Sequence, residues 1–159
     1  MSRAPLCALA AFALCAALSA GPAPTFTLNR PDGTRFNLED HLARQVIVLD
    51  FWATWCGPCL RALKQLQALQ DRYPQVLVLA IAIDDGRTMA QVDPYVRGRG
   101  FTFTVLLDPD ASACRLYNPE GGVPYPVVID RKGATAFYHN GYLAGDERAL
   151  FAAVAGLVK

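Results

Sequence analysis

Residues 50–60 read DFWATWCGPCL, with Cys56 and Cys59 two residues apart behind an aromatic and apolar run. The stretch leading in, QVIVLDFWA (45–53), is continuous and rich in β-branched residues, the pattern of a strand buried on both faces of a parallel sheet. Beyond the cysteines, Leu60, Leu63, Leu66, Leu69 and Tyr73 recur at helical spacing until Pro74. The pair therefore falls where a buried strand turns into a helix. A helix N-terminus carries free N–H groups and a partial positive charge, and both favour a thiolate over a thiol. Cys56, at the helix opening, is the expected nucleophile; Cys59, one turn further in, is the expected resolving thiol. Gly57 lets a partner's backbone approach, and Pro58 suits the first helical turn.

Other uses of a C-x-x-C compete with this one. Covalent haem needs a histidine directly after the second cysteine, and position 60 is Leu. Zinc needs about four ligands, and beyond the pair the candidates Cys114, His41 and His139 are isolated, so no metal is expected. A structural staple remains open, although a two-residue spacer in a cysteine-poor chain favours redox chemistry. The chain has 159 residues, 53% of them hydrophobic and 18% charged, with a net charge of +1. That fits one packed domain and gives no electrostatic case for nucleic acid or acidic lipid as a partner.

The first twenty residues, MSRAPLCALAAFALCAALSA, have Arg3 as their one charge and an apolar run from Leu6 to Leu18. This is the pattern of a secretory signal peptide over 1–20, cleaved after Ala20, with the working domain over 21–159. The run is shorter than the ~20 apolar residues of a membrane-spanning helix. The competing reading is an anchored N-terminus, uncleaved or lipidated at Cys7 or Cys15; Leu6 and Leu14 stand where lipidation signals carry a small residue. Removal of the leader leaves Cys56, Cys59 and Cys114. That is no disulfide framework, and Cys114 reads as a small buried residue on a helix.

Along the rest of the chain, TFTLNRPDGTRFNLEDH reads as a hairpin around Pro-Asp-Gly. QVLVLAIAI (75–83) is a second buried strand, followed by Asp84 and Asp85 as solvated loop residues. A short helix capped by Asp93 should end at Gly100, and 101–107 is strand-like. A helix capped by Asp110 should close at Asn118-Pro119. YPVVID and ATAFYHNGY flank a second hairpin, and a last helix starts at Asp146, with Leu150, Val154 and Leu157 on one face. Strands alternating with helices predict an α/β domain with a partly parallel sheet.

DFWATWCGPC resembles the active-site segment of the thioredoxin superfamily, joining the buried strand, Trp52, Trp55 and Cys-Gly-Pro-Cys. FTLNRPDGTRFNLEDH, GVPYPVVIDRKG and GYLAGDERALFAAVAGL extend the resemblance to the exported TlpA/ResA-like branch, with its AhpC/TSA-type thioredoxin-like domain. The resemblance implies a thioredoxin fold: a central mixed sheet flanked by helices, an N-terminal β-hairpin, and a strand-helix insertion before a cis-proline loop. Pro124 matches the cis-proline, with Pro126 as competitor, and Val123 would pair with a substrate's backbone. Trp55, Gly57, Pro58, Val123, Pro124 and Gly141 would line the partner surface.

Asp50 matches the buried aspartate that serves thioredoxins as proton acceptor for the second cysteine, where burial raises a carboxyl pKa. Many TlpA/ResA-like proteins carry asparagine at this position. The lysine that thioredoxins keep on the next strand is missing from 75–83, and Arg61 and Lys64 follow Cys59 where the branch often has an acid. The implied activity is that of a periplasmic or otherwise exported, soluble, monomeric disulfide reductase acting on protein disulfides. It would use the redox-active Cys56–Cys59 pair without a cofactor, be re-reduced by a membrane electron donor, and fit a role in cytochrome c maturation. A disulfide donor or isomerase on the same fold is the alternative. A peroxiredoxin-like peroxidase is a further one, though the Pro and Thr that precede a peroxidatic cysteine are absent.

Overall fold

The computed structural model describes residues 21–159; the leader expected over 1–20, with Cys7 and Cys15, lies outside them. β3 (Ile47–Trp52) is buried along all six residues. It pairs in parallel with β4 (Leu77–Ala82) and antiparallel with β6 (Tyr125–Ile129). β5 (Thr104–Leu107) runs parallel to β4 on its far side. The hairpin of β1 (Thr27–Asn29) and β2 (Arg35–Asn37) joins β5, and β7 (Thr135–Tyr138) pairs with β6. The seven-stranded mixed sheet has the order β2-β1-β5-β4-β3-β6-β7. Among the described residues four α-helices accompany it: α1 (Gly57–Arg72), α2 (Val92–Gly98), α3 (Ser112–Tyr117) and α4 (Glu147–Leu157). β5 and α3 occupy the segment between β4 and β6 where the insertion was expected.

The two-residue period of β3 divides the core. Val48 and Trp52 pack among Leu63 and Leu66 of α1, Val92 of α2, and Leu150 and Val154 of α4. Ile47, Leu49 and Phe51 face the other way, among Phe26, Leu38 and Ala113 at the start of α3. By the same alternation Asp50 points toward the α1 and α4 side.

Local chemistry moves several element boundaries. The helix expected to be capped by Asp93 starts at Val92, running on from a 3₁₀ turn over Met89–Gln91. Asp93 lies inside its first turn and pairs with Arg97 at 2.9 Å. The strand expected over 101–107 begins only at Thr104, because the Thr102 N–H donates to Oε1 of Gln67 on α1 at 2.8 Å and not to a neighbouring strand. Asp110 does not cap α3: Ala111 holds the cap position with φ 53°, and buried Asp108 accepts from the N–H groups of Ala113 and Cys114 at 3.2 and 2.8 Å. Asp146 holds the cap position of α4, but its carboxylate turns back to the Leu143 N–H at 2.7 Å.

A buried carboxylate that answers two backbone donors leaves both stranded when removed. Asp108→Ala is expected to destabilise the fold by about 3 kcal/mol, read as a lower urea midpoint at unchanged slope.

Candidate active site

The turn from β3 into α1 is tied at both ends. The Cys56 N–H donates to the Ala53 carbonyl at 3.1 Å. Between them, Thr54 donates its backbone N–H to Oδ2 of Asp84 at 3.0 Å and its hydroxyl to Oδ1 of the same carboxylate. Asp84 is fully buried, which corrects its expected place as a solvated loop residue. The carboxylate at the end of β4 reaches across to the neighbouring strand's turn. Asp85 does remain at the surface, paired with Arg87 at 3.0 Å. The sequence signal for Asp84 was an acid at the end of an apolar strand, the first of the adjacent pair Asp84 and Asp85, a pattern too common to single out.

Cys56 is the N-cap of α1, and its sulfur accepts the Cys59 N–H at 3.2 Å. The two cysteines form a disulfide with an S–S distance of 2.06 Å. Cys59 is fully enclosed, while Cys56 keeps an edge at the surface. Gly57 and Pro58 are exposed in the first turn, and no acidic residue lies there to oppose a thiolate. Trp55, 61% exposed, stands beside them as an apolar patch.

Opposite the bridge lies the loop before β6. The Val123 carbonyl oxygen is 3.7 Å from Cys56 Sγ, and the Val123–Pro124 peptide bond is cis. Gly141, with φ 82°, donates its N–H to the Pro124 carbonyl at 2.9 Å, so it belongs to the same loop cluster. Pro126 lies within β6 as the register partner of Asp50. The fold thus gathers Cys56, Cys59, Val123, Pro124 and Gly141, with Trp55, Gly57 and Pro58 on the exposed rim.

Asp50 is buried on the α1 side of β3, between Ala80 of β4 and Pro126 of β6. Burial pushes its carboxyl up to about 7, and Oδ1 has no hydrogen-bond partner among the described residues. Cys114 is also buried, and burial together with the nearby Asp108 carboxylate pushes its thiol up to about 11. It stays a protonated, packed side chain.

A mixed sheet whose central strand runs into a helix headed by a C-x-x-C disulfide, with a cis-proline loop against the outer sulfur, defines a thioredoxin-fold protein with a dithiol–disulfide centre. A model of the AhpC/TSA family matches residues 20–137, and the chain belongs to that family. It is 31% identical over 111 residues to the thiol-disulfide oxidoreductase ResA of Geobacillus kaustophilus, across 70% of this chain and 63% of that protein. The chain therefore spans less than two thirds of that relative's length. Identity to the thioredoxin-like protein YneN of Bacillus subtilis is 30% over 127 residues, across 79% of this chain and 73% of YneN. A Chlorobium tepidum protein assigned as thiol:disulfide interchange protein DsbE superposes with a TM-score of 0.79 at 29% identity, covering 89% of this chain and 98% of its own.

The raised Asp50 carboxyl makes stability depend on pH. The unfolded chain releases this proton near its ordinary value of 3.8, whereas the folded protein holds it to about 7. Native stability therefore falls as pH rises through that window and levels off above it. Asp50→Asn removes the dependence. The variant should gain on the wild type by on the order of 4 kcal/mol between the two ends of the window, checked by urea unfolding at each end. Parallel profiles for the two proteins would place the proton elsewhere.

Proposed function

We propose that the chain is an exported thiol–disulfide oxidoreductase that reduces disulfides in protein partners. The observation that carries this reading is the Cys56–Cys59 bridge at the N-terminus of α1, with Cys56 at the accessible end beside the Val123 carbonyl. The names of the ResA and DsbE relatives, both given for thiol–disulfide exchange, support it.

In the reduced protein, Cys56 is the thiolate, favoured by the Cys59 N–H and the positive end of α1. It attacks one sulfur of the partner's disulfide. That S–S bond breaks, a Cys56–partner bond forms, and the other partner sulfur leaves as a thiolate. Cys59 then gives its proton to the Asp50 carboxylate, and its thiolate attacks Cys56 Sγ. The Cys56–Cys59 bond closes and the second partner thiolate is released. The partner gains two electrons and the cysteine pair loses two.

Trp55, Gly57 and Pro58 present the docking rim, Val123 offers backbone to an extended partner segment, and Pro124 and Gly141 hold that loop in place. The cysteine pair carries the electrons itself, and a membrane electron donor restores the dithiol in an oxidising compartment. Delivery of reduced apocytochrome for haem attachment fits this chemistry, as does repair of other exported proteins. The Gly-Pro spacer, shared with reducing thioredoxins, favours this direction over disulfide donation.

Cys59→Ala should accumulate mixed disulfides between Cys56 and partner proteins, seen as reductant-sensitive bands on non-reducing gels of expressing cells. Cys56→Ala should give none. Equal band patterns from the two variants would sink the reductase reading.

A further inference from the structure

A proton delivered to Asp50 has to leave again before the next cycle. Across the sheet it meets Ala80 of β4 and Pro126 of β6, neither of which carries a proton. On the helical side a cavity of about 30 Å³ touches Asp50. A water molecule needs roughly 10–15 Å³ of such space, so one or two fit. Buried Leu66 of α1, Pro124, and Leu150 of α4 close its inner part. Ala62 and Gln65 of α1 are partly exposed, as are His139, Tyr142, Asp146 and Glu147, the titratable groups of its outer end.

These four groups divide by chemistry. The Asp146 carboxyl is held below its ordinary range, chiefly by the Leu143 N–H and also by His139. Glu147 is likewise held low, by its own backbone N–H and that of Gly145. Tyr142 is pushed up, first by burial and then by its bond to Glu147, to which its hydroxyl donates at 3.1 Å. Near neutrality the two acids therefore keep their charge and the phenol keeps its proton. The α1, β4 and β6 residues that face Asp50 carry no charge. That leaves His139, whose Nε2 lies 3.1 Å from Asp146 Oδ2 and whose two ring nitrogens let it take a proton on one side and give one on the other.

We propose that Asp50 exchanges its proton with solvent through this cavity, over one or two waters, and that His139, oriented by Asp146, hands the proton to bulk water. The inference rests on Asp50 accepting the Cys59 proton. In each cycle the carboxyl proton passes to cavity water, then to the imidazole, then out, with no change in oxidation state. The missing lysine on β4 is thereby bypassed, because the outlet lies on the α1–α4 side of the sheet.

The test is steady-state reduction of oxidised glutathione, with dithiothreitol re-reducing the pair, across the neutral pH range, for the wild type, Asp50→Asn, His139→Ala and the cavity-filling Ala62→Leu. The turnover rate is the readout, because the outlet acts between cycles. His139→Ala should slow turnover by about tenfold near pH 7, and free imidazole in the buffer should restore it. Ala62→Leu should slow it comparably without rescue, while iodoacetamide alkylation of Cys56 stays at the wild-type rate in both. If Ala62→Leu does not fold, imidazole rescue of His139→Ala decides the matter. Wild-type turnover in His139→Ala and Ala62→Leu, beside a slow Asp50→Asn, would overturn the outlet and leave the acceptor role standing. A wild-type rate in Asp50→Asn would overturn the acceptor role, and the outlet with it.

Discussion

The Cys56 N–H bonds to the Ala53 carbonyl at 3.1 Å, and this turn converts β3, buried along its length, into α1. Because β3 lies between β4 and β6, its end has nowhere to drift, and the sulfur that caps α1 arrives at a fixed point. Asp84 adds the second restraint by taking both donors of Thr54. The loop before β6 comes to the same point because β6 is hydrogen-bonded to β3 along five residue pairs. The Cys56–Val123 approach is thus a consequence of strand register, held together at its outer side by the Gly141 N–H on Pro124.

Three buried aspartates show how the fold spends polarity differently. Asp84 and Asp108 each answer backbone N–H groups that the chain would otherwise bury unpaired. Donors of that kind offset the cost of enclosing a carboxylate. Asp50 has an oxygen with no such donor and shares its neighbourhood with alanine, proline and leucine. Its burial is a standing cost, and the return is a carboxyl that changes protonation near 7. A fold optimised for stability alone would place an apolar residue there, as it does at Val48 and Trp52 on the same face.

Much of this was legible in the sequence. The unbroken apolar run of β3, the helical spacing of Leu63, Leu66 and Leu69, and the Pro-Asp-Gly turn are local signals with one economical structural answer. The cysteine pair and Asp50 rode on those elements, so their positions followed. What escaped was set by partners distant in the chain. Asp84 is buried because Thr54 comes to it from thirty residues away. At the start of α3, Asp110 reaches only the Ser112 N–H, and Asp108, four residues before Ser112, takes the next two N–H groups, those of Ala113 and Cys114. Asp146 occupies the cap position of α4, yet its carboxylate is claimed by Leu143 and His139. A cap residue's type is local, but the donor it serves is not.

The two helices that carry cysteines near their starts make the same point about reactivity. In α1 the first turn holds no acid, Pro58 has no N–H to offer, and the Cys56 sulfur itself takes the Cys59 N–H. A free donor of the helix's first turn is therefore spent on the sulfur. In α3 the corresponding donors, including the N–H of Cys114, go to Asp108. The carboxylate takes the stabilisation and its charge works against a second anion, so the Cys114 thiol rises to about 11. A helix N-terminus favours whichever acceptor caps it. Cys56 is set apart from Cys114 by being that acceptor.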